Sequence, residues 1–240
     1  MICNLADFVV EFKNVSPISE SFFYKYLSNK KPEFYFKITD YDIALESLRV
    51  NGKYPVENSE LSSILRKFAL WMLDNDSFLL HSALIEVNGE GIAFAAPSGT
   101  GKTTHTLLWQ RLLGDKMTIV NGDKPIVRFF KDEPYPIGYG TPWNGKERLG
   151  TNGKTPIKHF CLIERSDINS CEKVAPADVL GLFFKQIYLP KNDSNAVLKT
   201  LNLADRFLKS VTVWKIKCNM DISAAEVAYN TIFKENNNEA

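Results

Sequence analysis

The sequence predicts an α/β domain with a mixed sheet, preceded by a smaller α+β segment. Three observations support this fold class. Residues 91–113 read as a buried strand, a glycine-rich turn and an amphipathic helix. A β-hairpin pattern leads directly into that turn, and strand and helix patterns follow one another through the rest of the chain. A sheet that contains a hairpin next to a strand–loop–helix unit has both antiparallel and parallel neighbours.

The N-terminal residues predict a small α+β layer at residues 1–56. Residues 8–12 and 33–39 alternate as strands do, and residues 20–27 between them fit a short helix. Residues 59–72 then place apolar side chains at helical spacing, which predicts an amphipathic helix. We assign this helix to a core that spans residues 57–234, and we expect the polar tail at residues 235–240 to be flexible.

The core begins with a predicted hairpin. Residues 78–87 form its first strand, residues 88–91 its turn and residues 92–95 its return strand. Towards the C-terminus, Pro176 marks the start of a helix and residues 197–208 carry the apolar stripe of another. Residues 211–216 form a strand, and a capping box at residues 223–226 opens the last helix.

The glycine-rich turn, residues 96–101, is called the glycine loop below. With Lys102 it nearly matches the phosphate-loop consensus, except that Ala96 stands at the first glycine position. Backbone N–H groups at a helix N-terminus favour phosphate oxygens. Lys102 would bridge the terminal phosphates and the Thr103 hydroxyl would hold Mg²⁺. The predicted nucleotide contacts are Pro97, Ser98, Gly99, Thr100, Gly101, Lys102, Thr103 and Thr104.

Asp123 is the predicted second metal ligand. It follows the apolar strand 117–120, and a carboxylate at such a strand end reaches a Mg²⁺ ion that Thr103 and a nucleotide already hold. An aspartate after a strand also fits an ordinary turn.

Residues 138–153 are glycine-rich and contain side chains that a linker would not require. We interpret them as the loop that meets the acceptor or the γ-phosphate. Lys146 and Arg148 would neutralise charge on the transferring group, Glu147 would approach the metal or acceptor, and Trp143 would line the pocket. We expect the segment to be mobile until ligand binds. The alternative is a surface loop with solvated charges.

Composition excludes several classes of function. The chain has 240 residues, and its 29 basic and 28 acidic residues leave no basic surface for nucleic acid or an anionic membrane. The first residues lack the features of a signal peptide, and no apolar run is long enough to span a bilayer, so we expect a cytoplasmic protein without membrane or nucleic-acid partners. The cysteines show no C-x-x-C pairing, which favours reduced thiols.

The hairpin and the string Ser98-Gly99-Thr100-Gly101-Lys102 resemble the HPr kinase/phosphorylase and phosphoenolpyruvate carboxykinase superfamily, and more closely the HPr-kinase-related proteins of bacterial peptide-modification gene clusters. The resemblance covers about residues 60–232 and includes the Pro-Trp-x-Gly-Lys-Glu arrangement at residues 142–147. It implies the superfamily's phosphate-loop core, use of ATP and Mg²⁺, and a homo-oligomer.

The resemblance also implies roles for single residues. His81, 21 residues before Lys102, matches a histidine of the kinases, and Arg165 ends strand 157–163 as part of an acidic–basic pair near the site. A structural ion pair is an equal alternative for Arg165. The kinases have two adjacent aspartates where this chain has Gly122 and Asp123. The base is therefore absent, or it is His81 or another carboxylate.

The sequence thus predicts a Mg·ATP-dependent kinase that phosphorylates a hydroxyl of a peptide, protein or small molecule. His81, Lys102, Asp123, Lys146 and Glu147 are the candidate catalytic residues, and Trp143, Lys146, Arg148 and Arg165 the candidate acceptor contacts. The alternative, which Gly122 suggests, is a nucleotide-binding accessory or regulatory protein with little turnover.

Overall fold

The computed structural model describes residues 1–190 and 193–235, with the backbone alone described at residues 234 and 235. The predicted flexible tail lies almost entirely outside the described residues. The chain folds as two compact units, Met1–Asn75 and Asp76–Ala240. None of the described helices has the length and apolar character needed to cross a membrane.

The first unit holds a three-stranded sheet and three helices. Its strands are β1 (Ile2–Leu5), β2 (Phe8–Lys13) and β3 (Phe34–Lys37), and its helices are α1 (Pro17–Phe22), α2 (Asp40–Arg49) and α3 (Val56–Met72). Short 3₁₀ turns lie at Tyr24–Tyr26 and Leu73–Asn75. Strand β2 is central, antiparallel to β1 and parallel to β3.

Aromatic packing explains why α3 belongs to this first unit. Phe68 and Trp71 lie on one face of α3, and their rings contact Phe8, Phe12 and Phe36 of the small sheet. Such ring pairs stabilise a core beyond the apolar area they bury. The sequence pattern predicts a boundary after residue 56, whereas in the structure the first unit runs to Asn75.

The second unit carries the remaining elements. Its strands are β4 (Ser77–Leu79), β5 (Ala83–Val87), β6 (Glu90–Ala95), β7 (Met117–Asn121), β8 (Ile126–Arg128), β9 (Ile137–Tyr139), β10 (Lys154–Arg165), β11 (Ser170–Lys173) and β12 (Thr212–Cys218). Its helices are α4 (Lys102–Leu113), α5 (Pro176–Phe183), α6 (Ser194–Ser210) and α7 (Ser223–Glu235), with a 3₁₀ turn at Gly114–Lys116.

These strands form the large mixed sheet that the sequence predicts. The order is β4-β8-β9-β10-β6-β5-β7, and β12 pairs with β10 and β11. Strand β6 lies between its hairpin partner β5, which is antiparallel, and β10, which is parallel. The hairpin turns at Asn88 and Gly89, both with positive φ, as an Asn-Gly turn requires.

Helices cover both faces of the sheet, and β10 contributes apolar side chains to both layers because its residues alternate between the faces. Cys161 and Ile163 join Trp109 of α4 and Ala228 of α7 in one apolar core. Phe160 points to the other face, where its ring contacts Phe183 of α5 and Phe207 of α6. A strand buried on both faces reads as a continuous apolar run, and residues 160–163 have this character.

The structure corrects one predicted strand. Residues 78–87 are not one strand, because the chain breaks at residues 80–82 between β4, which pairs with β8, and β5, which pairs with β6 and β7. The break is held by the Leu80 N–H bonded to the Pro125 carbonyl and by the His81 N–H bonded to the Gln186 carbonyl, at 3.1 and 2.6 Å. His81 therefore lies in this break and not in a strand.

Candidate active site

The site is built where β6 ends and α4 begins. Residue Ala95 is the last of β6, the glycine loop follows, and α4 starts at Lys102. Gly101 precedes the helix with φ +118°, a left-handed conformation that favours glycine over any other residue. The first backbone N–H groups of α4 have no partner within the helix, so this end of the loop is suited to an anion.

A cavity of about 530 Å³ lies against this loop. It brings together most of the candidate residues from distant parts of the sequence. His81 comes from the break after β4, Lys102 and Thr103 from α4, and Asp123 from the turn after β7. Lys146 and Glu147 come from the 138–153 segment, and the loop contributes Pro97, Ser98, Gly99, Gly101 and Thr104. Thr100 does not line this cavity.

Asp123 is the centre of the charged groups in the cavity. Its Oδ1 lies 3.1 Å from Nε2 of His81 and 3.3 Å from Nζ of Lys102. Its other oxygen, Oδ2, pairs with the ammonium group of Lys124. Three donors thus surround one carboxylate that is largely shielded from solvent.

These contacts shift the pKa values of Asp123 and Lys102. Burial works to raise the pKa of Asp123, but the hydrogen bond from His81 and the charges of Lys124 and Lys102 outweigh burial and hold that pKa well below its usual range. Burial lowers the pKa of Lys102, against the opposing attraction of Asp123. Asp123 therefore stays ionised at neutral pH, which suits a metal ligand better than a proton acceptor.

The donors around the cavity fit a magnesium ion only in part. Thr103 and Asp123 offer a hydroxyl and a carboxylate oxygen, the hard ligands that Mg²⁺ takes. Among the residues that the structure describes, no group of three or more His, Cys, Asp or Glu side chains is placed to hold a metal. A bound ion would need phosphate oxygens and water to complete its shell, as Mg²⁺ at phosphate sites ordinarily does.

The packing around residue 122 explains on steric grounds why this position is a glycine. A Cβ atom at this position would lie 2.7 Å from the Asn144 carbonyl oxygen and 3.1 Å from that of Leu149. The Gly122 N–H also donates to the Leu149 carbonyl at 2.8 Å. The 138–153 segment thus fills the space in which an aspartate at residue 122 would stand.

Further contacts limit how much of the 138–153 segment is expected to be mobile. Gly138–Trp143 is buried, the Lys124 N–H donates to the Trp143 carbonyl, and the Thr151 N–H donates to the Val120 carbonyl. Residues 145–148 form the exposed tip. Mobility is therefore expected of this tip alone.

The four predicted acceptor contacts are placed differently from one another. Lys146 lines the cavity from the exposed tip. Trp143 is buried, with 8% of its surface exposed, and it does not line the cavity. Arg148 lies at the tip outside the lining, with φ +50°. The guanidinium of Arg165 is bonded to the glycine loop instead: Nε donates to the Thr100 carbonyl at 3.0 Å, and Nη2 donates to the Gly99 carbonyl.

Comparisons with known proteins add little to this geometry. No family model matches the chain, and no curated protein matches it. Among solved structures, the chain is similar to the Hpr(Ser) kinase/phosphatase from Coxiella burnetii, with 10% sequence identity and a TM-score of 0.38. The match covers 67% of this chain and 94% of that one. At this TM-score the similarity is distant, and no function is transferred from it.

Several residues that support Asp123 were not predicted. Asn121 is fully buried, and its Oδ1 accepts the N–H groups of Asp123 and Lys124 at 2.9 and 2.7 Å. Its amide group donates to the carbonyl and hydroxyl oxygens of Thr141. An asparagine that bonds the backbone two residues later is a common turn signal, so the sequence Asn-Gly-Asp contained this information.

A second cavity, of about 570 Å³, also borders the glycine loop. Gly99, Gly101 and Thr104 line both cavities, whereas Thr100, Arg165 and Cys218 line only the second. The glycine loop therefore borders both cavities.

The remaining histidines pack inside the fold. His105 and His159 are buried, and each accepts a hydrogen bond from a tryptophan indole N–H, from Trp109 and Trp214 respectively. All cysteines in the described residues are free.

His105 makes a pH-dependent contribution to stability. Nε2 accepts the Trp109 bond at 3.0 Å, so the ring proton is on Nδ1, which lies 3.8 Å from Sγ of Cys218. Burial lowers the pKa of His105 from 6.5 to about 4. Between these values the unfolded chain binds the proton and the folded chain does not. The free energy of unfolding therefore falls as pH decreases, by about 2 kcal/mol between about pH 7.5 and about pH 5.

Urea titrations at the two pH values check this expectation. His105→Gln keeps an acceptor for Trp109 but cannot take up the proton, so its stability should depend less on pH by about this amount. The contribution of His159, whose pKa burial also lowers, is common to both proteins. Equal pH dependence in the two proteins would contradict the assignment.

Proposed function

We propose that this protein is a Mg·ATP-dependent kinase that transfers the terminal phosphate to a hydroxyl of a peptide, protein or small molecule. The observation that carries the proposal is the cavity in which Lys102, Thr103, Asp123 and His81 meet at the N-terminus of α4. A helix N-terminus, a partly buried lysine and an ionised carboxylate are the parts that phosphoryl transfer uses.

Each group has a role in this proposal. Backbone N–H groups of the glycine loop bind phosphate oxygens, and Lys102 moves from Asp123 to the terminal phosphates. Thr103 and Asp123 would hold Mg²⁺, which when bound would neutralise charge on the phosphates. Lys146 reaches the transferring group from the tip of the 138–153 segment, where it opposes the negative charge of the transition state.

Two side chains are candidates for the general base that would take the proton of the acceptor hydroxyl. The lowered pKa of Asp123 makes it a poor proton acceptor. His81 and Glu147 also line the cavity and are the candidates to take the proton of the acceptor hydroxyl. Because phosphoryl transfer depends mainly on positioning and charge, turnover without any base is also consistent with this geometry.

The second cavity supports a nucleotide over pyrophosphate as donor. It shares Gly99, Gly101 and Thr104 with the cavity that Lys102 and Asp123 line, so an elongated ligand with phosphates at one end would extend into both. Its volume of about 570 Å³ is within the range of small-molecule sites.

The competing proposal is a nucleotide-binding accessory or regulatory protein, and Gly122 favours it because the packed segment leaves no room for a second carboxylate there. ADP formation from Mg·ATP, measured with and without candidate hydroxyl acceptors, separates the two. A kinase forms ADP in proportion to phosphorylated acceptor. Saturable ATP binding without ADP under all conditions would identify the passive binder.

Lys146→Ala is expected to lower phosphoryl transfer by about 10²-fold while changing ATP affinity by less than about threefold. The reason is that charge develops on the transferring group only in the transition state, which is where a positioned cation acts. Steady-state rates and calorimetric titration measure the two quantities.

Arg148→Ala is the matched variant, since it removes the same charge from the same exposed tip outside the cavity lining. Its loss of turnover should be much smaller. If Lys146→Ala lowers affinity as much as turnover, the tip belongs to a preformed nucleotide pocket and not to the transfer step.

A further inference from the structure

Arg165 makes contacts that differ from those of a ligand-binding side chain. Both described hydrogen bonds of its guanidinium go to carbonyl oxygens of the glycine loop, those of Gly99 and Thr100. The planar guanidinium group presents several N–H donors in a fixed fork, which suits two neighbouring acceptors.

The sheet register explains why this side chain reaches the loop. Strand β10 runs parallel to β6, with Leu162 opposite Ala95. Arg165 lies three residues beyond Leu162, on the part of β10 that extends past the end of β6, where the glycine loop begins. The neighbouring strand β12 ends at the same level, since its Cys218 is opposite Arg165.

The two bonds fix the orientation of loop peptide groups. In a planar trans peptide the C=O and the following N–H point in opposite directions. A Thr100 carbonyl held by Arg165 therefore turns the Gly101 N–H away from the guanidinium. Arg165 lines the second cavity and not the cavity that Lys102 and Asp123 line, so its guanidinium contacts the loop from outside the proposed phosphate site.

The adjacent peptide group is fixed in the same way. The Gly99 carbonyl points to Arg165, and the Thr100 N–H, on the opposite side, donates to the Pro97 carbonyl at 3.1 Å. The turn of the loop is thus held from both sides. Glycines such as Gly99 and Gly101, both with positive φ here, have many accessible conformations in a free chain, so such a restraint reduces the entropy that phosphate binding must remove.

We propose that Arg165 is a positioning residue that holds the glycine loop in its phosphate-binding conformation and does not itself contact the phosphates or the acceptor. This inference rests on the proposed function and assigns Arg165 a different role from the acceptor contact that the sequence predicts. An indirect role of this kind acts on every ligand that uses the loop, with or without a nucleoside.

The test compares two ligands and the free protein. Arg165→Ala should raise the dissociation constants of Mg·ATP and of magnesium tripolyphosphate by the same factor, about tenfold, as supporting groups behind a binding site commonly do. In the free protein, amide hydrogen exchange in residues 98–101 should become faster while the melting temperature stays unchanged. Arg165→Lys should restore part of the affinity, because an ammonium group donates to one carbonyl but lacks the fork.

Lys217→Ala is the matched control, since Lys217 is an exposed cation on the adjacent strand, one residue before the partner of Arg165. It should change neither affinity nor exchange. Loss of ATP affinity alone would make Arg165 a nucleoside contact, loss of turnover alone an acceptor contact, and unchanged exchange would remove the positioning role. If the unmodified protein binds neither ligand, the proposed function fails, while the exchange experiment still tests the contact between Arg165 and the loop.

Discussion

Lys102→Ala is expected to weaken binding of Mg·ATP by about 100-fold and to abolish measurable turnover. A charge-assisted hydrogen bond contributes about 1.5–3 kcal/mol, and Lys102 would make more than one to the terminal phosphates. The fold should be retained, because the described contact of its ammonium group is with Asp123, which keeps His81 and Lys124 as partners. Calorimetric titration and thermal unfolding measure the two effects.

Lys116→Ala is the control for this variant. It removes the same charge from the exposed 3₁₀ turn that follows α4, far along the helix from the glycine loop. The affinity of Lys116→Ala for Mg·ATP should equal that of the unmodified protein. Unchanged affinity and turnover in Lys102→Ala would show that the glycine loop does not bind phosphate.

Asp123→Asn is expected to remove most of the enhancement that Mg²⁺ gives to ATP binding. The carboxylate acts on the metal ion, and a neutral amide is a weaker ligand for a hard cation. Metal-free ATP should bind at least as well as before, because the change also frees Lys102 and Lys124 from their anionic partner. Titrations with and without Mg²⁺, compared as a ratio, isolate the metal contribution.

Asp132→Asn, at an exposed aspartate of another loop, controls for the loss of one negative charge. The Mg²⁺ enhancement should be the same in that variant as in the unmodified protein. Equal losses of ATP affinity with and without metal in Asp123→Asn would make Asp123 a turn residue and not a ligand.

Local chemistry made part of this molecule predictable. The Asn-Gly turn, the apolar run of β6 and the amphipathic pattern of α4 are encoded within a few residues each, and the structure forms all three. Lys102, Thr103 and Asp123 follow from the same short-range logic, because they stand at the ends of a strand or a helix. The large mixed sheet also follows, since a hairpin beside a parallel strand allows no uniform sheet.

Other features depend on pairing between distant residues. The break at His81 arises because Leu80 bonds to Pro125 and His81 bonds to Gln186, contacts that no local pattern specifies. Arg165 reaches the glycine loop through the register of β10 on β6. Trp143 is buried although its neighbours read as an irregular loop.

The steric role of Gly122 likewise appears only with the 138–153 segment in place. In the sequence alone, a glycine at the position of an expected aspartate suggests that a catalytic carboxylate is missing. In the structure it is the residue that lets the Asn144 and Leu149 carbonyls approach the end of β7. The packing of the 138–153 segment therefore depends on the absence of a side chain at residue 122.

The central claim is that the cavity at the N-terminus of α4 binds a magnesium nucleotide. Calorimetric titration of the unmodified protein with ATP, with and without Mg²⁺, tests it most directly. We expect one saturable site per chain, tighter with Mg²⁺ than without it, and displacement of ATP by tripolyphosphate. No detectable heat or saturation with either form of ATP, from a protein shown to be folded, would contradict the claim.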